Sequence, residues 1–237
     1  MFTDLQKTPG ILKKLHIMLI FFIVLSFTSC QRSLRSFYQE GVSHELAAYR
    51  GKQVYDVHYD LYFHVPENKN EVVTGTAKIY FKPLKARHGL IIDFQPGEDY
   101  IHAIKINGTD ADYNFMNGHI YLDANGFVPR QENIVEIDFT SSDQALNRSD
   151  GFMYTLFVPD RASTAFPCFD QPDIKATFDL TLDIPTNWTA ISNGPLTSDD
   201  PGESVKRLSF SLADPISTYV FSFAAGEFSQ DSRVKDG

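Results

Sequence analysis

The nearest approach to a hydrolytic metal site in this chain is His44-Glu45-Leu46-Ala47-Ala48. A zinc-activated water needs convergent nitrogen, sulfur or carboxylate ligands, and a helical site of this kind places two histidines four residues apart with a glutamate as base. Here the second histidine position holds Ala48, so a single imidazole is left and the match is a chance one. The other histidines beyond residue 29, His58, His64, His88, His102 and His119, stand apart from one another, and they read as solvated or pairing side chains rather than ligands. No Gly-x-Ser-x-Gly elbow is present to expose a serine nucleophile. Cys168 sits between a proline and an aromatic residue, which suits a small buried packing group better than a reactive thiol. Asp170, bracketed by Pro167 and Pro172, can either accept hydrogen bonds from nearby backbone N–H groups or pair with Arg161, and both readings make it a staple of a tight segment.

Cys30 belongs to a different kind of segment. Lys7, Lys13 and Lys14 precede an apolar run from Leu15 to Leu25, and Phe27-Thr28-Ser29-Cys30 follows. Positive, then apolar, then small is the order of a secretory signal, assigned here to residues 1–29. The run is shorter than the ~20 apolar residues that a membrane span requires. Its last four residues resemble a bacterial lipobox, so Cys30 is the expected lipidation site. The chain is then expected to be exported and held in the bacterial cell envelope, on a membrane, through that lipid anchor. Export implies an oxidising compartment, but lipid on Cys30 leaves Cys168 with no intrachain partner. The first 29 residues carry three lysines against Asp4, a net +2, so removing them takes the formal charge from −9 to −11. Such a surface argues against nucleic acid or anionic lipid as a ligand of the folded body. The sequons at Asn107, Asn147 and Asn187 read as ordinary turn asparagines in a lipoprotein of this type.

The elements that must position these residues change character along the chain. Residues 30–52 scatter Arg32, Arg35, Glu40, Glu45 and Arg50 around Val42, Leu46 and Tyr49 at helical spacing, which predicts a lipidated tether ending in a short helix. From Val54 the period becomes two. Val57, Tyr59, Leu61, Phe63 and Val65 alternate with His58, Asp60, Tyr62 and His64, and a second alternating run from Val73 ends at Pro83, so the two form a hairpin. Further strands are predicted at Leu90–Phe94, Tyr100–Ile106, His119–Leu122, Ile134–Phe139, Lys175–Ile184, Val205–Leu212 and Thr218–Phe223. Asn107-Gly108, Asn117-Gly118 and Asn125-Gly126 are turn signals, because both residue types tolerate positive φ. The expectation is one all-β domain over 53–237, an antiparallel β-sandwich or a saddle of bent sheets, with the short helical tether at its N-terminus.

Four stretches carry a family resemblance: Phe166-Pro167-Cys168-Phe169-Asp170-Gln171-Pro172-Asp173-Ile174-Lys175-Ala176, the strand Thr177 to Ile184, Trp188 to Pro195, and Ile216 to Phe228. Together they resemble the amino-terminal domain of the zinc aminopeptidases of the aminopeptidase N and leukotriene-hydrolase family. The resemblance runs from about Val54 to Phe228 and is strongest from Gly151 onward. It implies that zinc, the HExxH helix and the GAMEN loop belong to a catalytic domain that this chain lacks, so no cofactor is expected here. That catalytic domain and the peptide substrate of a full-length parent are the implied partners.

In such a family the segment around Pro167 packs near the cleft between the two domains, so Val158, Asp160 and Arg161 become substrate-cleft candidates and Pro167, Cys168, Asp170 and Pro172 the structural motif. A glutamate or glutamine some nine residues before the motif proline binds the substrate's amino group. Counting back from Pro167 reaches Val158, which cannot accept a hydrogen bond from an ammonium. Either Asp160 takes the role in a shifted register or the contact is missing. The domain-facing surface is expected to be an apolar patch near Phe157, Pro159, Phe166 and Phe169. The function implied is that of a noncatalytic wall of the active-site cleft that helps position the peptide N-terminus. The alternative is a free-standing β-sandwich lipoprotein that binds peptide or glycan, and the polar end from Ser229 to Gly237 favours the first.

Overall fold

The computed structural model describes residues 37, 39–84 and 89–229. The signal segment, Cys30, most of the tether before Gln39, His88 and the last eight residues lie outside the described residues.

Alternation of apolar and polar side chains builds the body. Strand β1 (Val54–His64) buries Tyr59, Leu61 and Phe63 and leaves Asp60, Tyr62 and His64 half-buried on its other side. It pairs antiparallel with β2 (Thr74–Pro83), so the predicted hairpin is present. Within β2, Gly75 is a requirement of packing, since a Cβ there would stand 2.5 Å from the Tyr62 carbonyl oxygen and 2.7 Å from the Phe139 ring.

The remaining strands are β3 (Leu90–Asp93), β4 (Ile101–Ile106), β5 (Thr109–Asp110), β6 (Tyr113–Met116), β7 (His119–Leu122), β8 (Asn133–Thr140), β9 (Leu146–Ser149), β10 (Phe152–Thr155), β11 (Ala176–Pro185), β12 (Thr189–Ser192), β13 (Leu196–Asp200), β14 (Val205–Ile216) and β15 (Phe223–Gly226). They form an eight-stranded sheet of order β13-β14-β11-β1-β2-β8-β4-β5, a four-stranded sheet β12-β15-β10-β9 and a three-stranded sheet β3-β7-β6. Asn107-Gly108 and Asn117-Gly118 close the β4–β5 and β6–β7 hairpins with positive φ at both residues, as two-residue turns demand.

The all-β expectation holds, with one difference in detail. β1 and β11 run parallel from Val57↔Ala176 to His64↔Asp183, which makes the large sheet mixed. Its two antiparallel halves meet at that central pair. The segment Thr218–Phe223, predicted as a strand, is a 3-10 turn at Thr218–Val220, with β15 starting only at Phe223. The reason is tertiary: the Thr218 hydroxyl is drawn to Asp170, and Phe221 turns inward to stack on Phe178 with ring centroids 4.4 Å apart.

One hydrophobic core takes side chains from all three sheets. Rings of Tyr59, Phe178, Phe221, Phe157 and Phe166 form a continuous aromatic seam through it. Helix α1 (His44–Arg50) begins where the Ser43 side chain accepts the Leu46 N–H at 3.1 Å, and it is seated on the body through fully buried Leu46 and Arg50.

Candidate functional site

The motif segment is fixed from both ends of the core. Asp93 at the end of β3 and Cys168 exchange backbone hydrogen bonds of 2.8 and 3.1 Å, and the Tyr59 hydroxyl accepts the Phe169 N–H at 2.9 Å. Pro167 is buried, while the Pro172 carbonyl accepts the Ser217 hydroxyl at 2.6 Å. Of the two partners foreseen for Asp170, the backbone is the one realised. Its Oδ2 accepts the Ser163 N–H at 2.9 Å from the 3-10 turn Ala162–Thr164, and its Oδ1 accepts the Thr218 hydroxyl at 3.1 Å. The ion pairs among the described residues do not include Arg161, whose carbonyl instead accepts the Thr164 hydroxyl.

Beside this segment lies a buried charge cluster. The Arg50 guanidinium meets the Asp93 carboxylate through both terminal nitrogens, and its Nε donates to the Ile91 carbonyl at 3.0 Å. His119 places Nδ1 at 2.7 Å from Asp93 Oδ1 and Nε2 at 2.8 Å from the Gln39 carbonyl oxygen. With an acceptor at each ring nitrogen, the imidazolium form satisfies both contacts. The Asp170 N–H completes the set at 3.0 Å from Asp93 Oδ2.

Burial works against the Asp93 charge, but Arg50 and His119 outweigh it and hold the carboxyl below its usual range. Burial also opposes the His119 charge, and the Asp93 hydrogen bond overcomes that and raises it. Asp170 has no cation against it among the described residues, and burial raises its pKa. Burial pushes the Cys168 thiol well up, in keeping with an inert packing group.

Over this cluster opens a cavity of about 440 Å³, lined on one side by Glu40, Gly41 and Val42 and on the other by Asp160, Asp170 and Gln171 among others. Of the cleft candidates, the structure brings Asp160 to this cavity with the motif residues, whereas Val158 is 51 % exposed and is not part of its wall, nor is half-buried Arg161. His119, Asp93 and Arg50 were missed as a group by sequence reasoning, since each comes from a different element. Zinc does not fit the residues present. No group of three or more His, Cys, Asp or Glu side chains converges as metal ligands among the described residues, and His119 spends both nitrogens on other partners.

Of the four residues expected to form the apolar patch, Pro159 is exposed and the three phenylalanines are not. Phe157, Phe166 and Phe169 are at most 1 % exposed and belong to the core. One row of apolar side chains lies on the outer face of the four-stranded sheet, where Ile191, Ala224 and Tyr154 are paired across β12, β15 and β10. Phe152 and Leu156, two residues to either side of Tyr154, extend it, and Tyr154, Ile191 and Leu156 are 45, 65 and 47 % exposed.

The model of the peptidase M1 N-terminal domain matches residues 54–220, more than half of the chain. Aminopeptidase N of Streptomyces lividans is 33 % identical over 152 residues, which are 58 % of this chain and 17 % of that protein. Puromycin-sensitive aminopeptidase of Caenorhabditis elegans is 43 % identical over 75 residues, 31 % of this chain and 8 % of that one. Among solved structures, the M1 zinc metallopeptidase of Deinococcus radiodurans shares the fold with a TM-score of 0.65 at 19 % identity, over 74 % of this chain and 42 % of its own. Leukotriene A4 hydrolase of Saccharomyces cerevisiae gives 0.64 at 19 % identity, over 77 % and 30 %. The chain thus spans less than half the length of each of these relatives. With the family model matching residues 54–220, this chain belongs to the family of peptidase M1 N-terminal domains.

Proposed function

We propose that this chain is the noncatalytic wall of a peptidase active-site cleft, packing against an M1 catalytic domain and helping to position the N-terminus of a peptide substrate. The observation that carries this reading is the family match over residues 54–220. The exposed apolar row of Phe152, Tyr154, Leu156 and Ile191 supports it, because such a row is relieved of its contact with water by a neighbouring domain. A Deinococcus M1 zinc metallopeptidase of the same fold has been solved with a Tyr-Ser-Ala substrate bound, which fits peptide as the substrate class. Asp160, at the cavity rim, is a side chain suited to meet a substrate ammonium. Zinc and its hydrolytic chemistry belong, on this reading, to the catalytic domain.

The purified chain is therefore expected to hold no stoichiometric zinc after dialysis and to leave an aminoacyl-anilide uncleaved, as read by metal analysis and a chromogenic assay. One tightly held zinc per chain with turnover of the anilide would overturn the reading. We propose also that the chain is exported and lipid-anchored through Cys30. Cys30→Ser is expected to abolish lipid labelling and to release the protein from the membrane fraction, since a single anchoring group governs partition. Membrane association unchanged by this substitution would point to an uncleaved signal helix.

A further inference from the structure

The cavity is an acceptor-rich site, and no cation stands among the described residues of its wall. Among the described residues its lining includes the carboxylates of Glu40, Asp93, Asp160, Asp170 and Asp173 and no lysine, arginine or histidine. Asp93 is already matched by Arg50 and His119. Asp170 is not: it is 7 % exposed, and among the described residues its carboxylate accepts the Ser163 N–H and the Thr218 hydroxyl, with the Ser163 side chain also beside it.

Beside it, Gln171 is 2 % exposed and donates its Nε2–H to the Ala47 carbonyl at 3.1 Å, while its Oε1, buried, meets no donor among the described residues. Buried polar atoms are almost always paired, so a wall residue with an orphaned oxygen asks for a donor from the cavity itself. The arrangement has two tiers. Asp170 and Gln171 are buried at the floor, and Glu40, Asp160 and Asp173 are exposed at the rim. A volume of about 440 Å³ holds a slender chain reaching from one tier to the other.

We propose that this cavity binds a small linear amine with a cationic, N–H-bearing head at each end, of the diamine or guanidinoalkylamine class. One head donates to Gln171 Oε1 and the Asp170 carboxylate, and the second lies among the rim carboxylates. The selective feature is the donor. A quaternary ammonium carries the same charge but no N–H, and a neutral diol carries hydroxyls but no charge, so each lacks one half of what the two tiers offer. The proposal does not rest on the cleft-wall reading, since it concerns a site wholly within this chain.

The test is calorimetric titration of the purified full chain with agmatine and putrescine, alongside tetramethylammonium and 1,4-butanediol. Saturable one-to-one binding of the amines is expected, with neither control binding. Gln171→Met is expected to weaken agmatine about tenfold or more, the scale of a lost hydrogen bond to a charged group. The double variant Asp160→Asn, Asp173→Asn changes only exposed rim side chains and is expected to weaken it about twofold to fivefold. Absence of saturable amine binding, or equal binding of tetramethylammonium, overturns the proposal and leaves water as the partner of Gln171. Should Gln171→Met fail to fold, the rim variant decides, and wild-type affinity there overturns the proposal too.

Discussion

At the base of the cavity, Arg50, Asp93, His119 and Asp170 are charged groups taken out of water, whereas on the outer face of the four-stranded sheet Phe152, Tyr154 and Ile191 are apolar groups left in it. The first arrangement carries a desolvation cost that is tolerated because Asp93 meets two cations and a backbone N–H, and Asp170 meets two donors. The second carries the cost of apolar hydration, and nothing among the described residues offsets it. The buried cluster is therefore a device for stability, tying α1 and the segment at Gln39 to the motif segment. The sheet face is a device for association. Substitutions in the two regions should separate cleanly, the one acting on unfolding and the other on assembly.

The strongest test of the contrast is Asp93→Ala. It leaves Arg50 and His119 buried without their counterion, and the expected loss is about 3–5 kcal/mol in urea unfolding, the scale for breaking a buried pair from one side. A loss below about 1 kcal/mol would mean that the cluster is not desolvated as described.

The same cluster sets a pH dependence. The His119 pKa is raised on balance, Asp93 outweighing burial, so its contribution is fully present below the unfolded value of ~6.5 and is lost as pH rises through the higher folded value. The Asp93 pKa is lowered on balance, so its contribution is present above the unfolded value of ~3.9 and is lost as pH falls through the lower folded one. Asp170 works the other way on the acid side: its carboxyl is raised by burial, so it favours the fold below its unfolded value and that benefit fades as pH rises through its folded value. The alkaline limb is thus the sharper observation. Chemical denaturation across pH should show stability declining above neutrality in the native chain, and His119→Gln should flatten that decline. An alkaline limb identical in the two proteins would remove His119 from the account.

The smallest effect on stability belongs to the sheet face. Tyr154→Lys with Ile191→Lys should shift unfolding by no more than about 0.5 kcal/mol, as exposed positions do. The same pair should abolish the concentration-dependent self-association and apolar-dye binding expected of the native chain, read by sedimentation velocity and fluorescence. A native chain that is strictly monomeric and dye-silent would instead favour a free-standing module.

By itself the sequence determined the long strands that have one face in the core and one toward solvent. The β1–β2 hairpin, β8 and β11 were legible because burial on a single face writes a period of two into the chain, and the Asn107-Gly108 and Asn117-Gly118 turns were legible because both of their residues need positive φ. The motif from Phe166 to Ala176 was likewise legible as a family signature. Strand β10 was not, because Phe152 to Val158 is apolar at nearly every position: its inner residues face the core, its outer ones face the open sheet surface, and no alternation survives. Nor could the sequence place the aromatic rings. Phe157, Phe166 and Phe169 have the same composition whether they form a surface patch or a seam, and the stack with Tyr59, Phe178 and Phe221 is what draws the first two inside.

Only the tertiary structure decided the parallel meeting of β1 with β11 and the cluster on which the cavity rests. Asp93 finds Arg50 across 43 residues and His119 across 26, and Gln171 reaches Ala47 across 124. Periodicity is a local record of which side of an element is dry. The choice of partner between distant elements is made by shape and charge once they pack, and it leaves no period behind to be read.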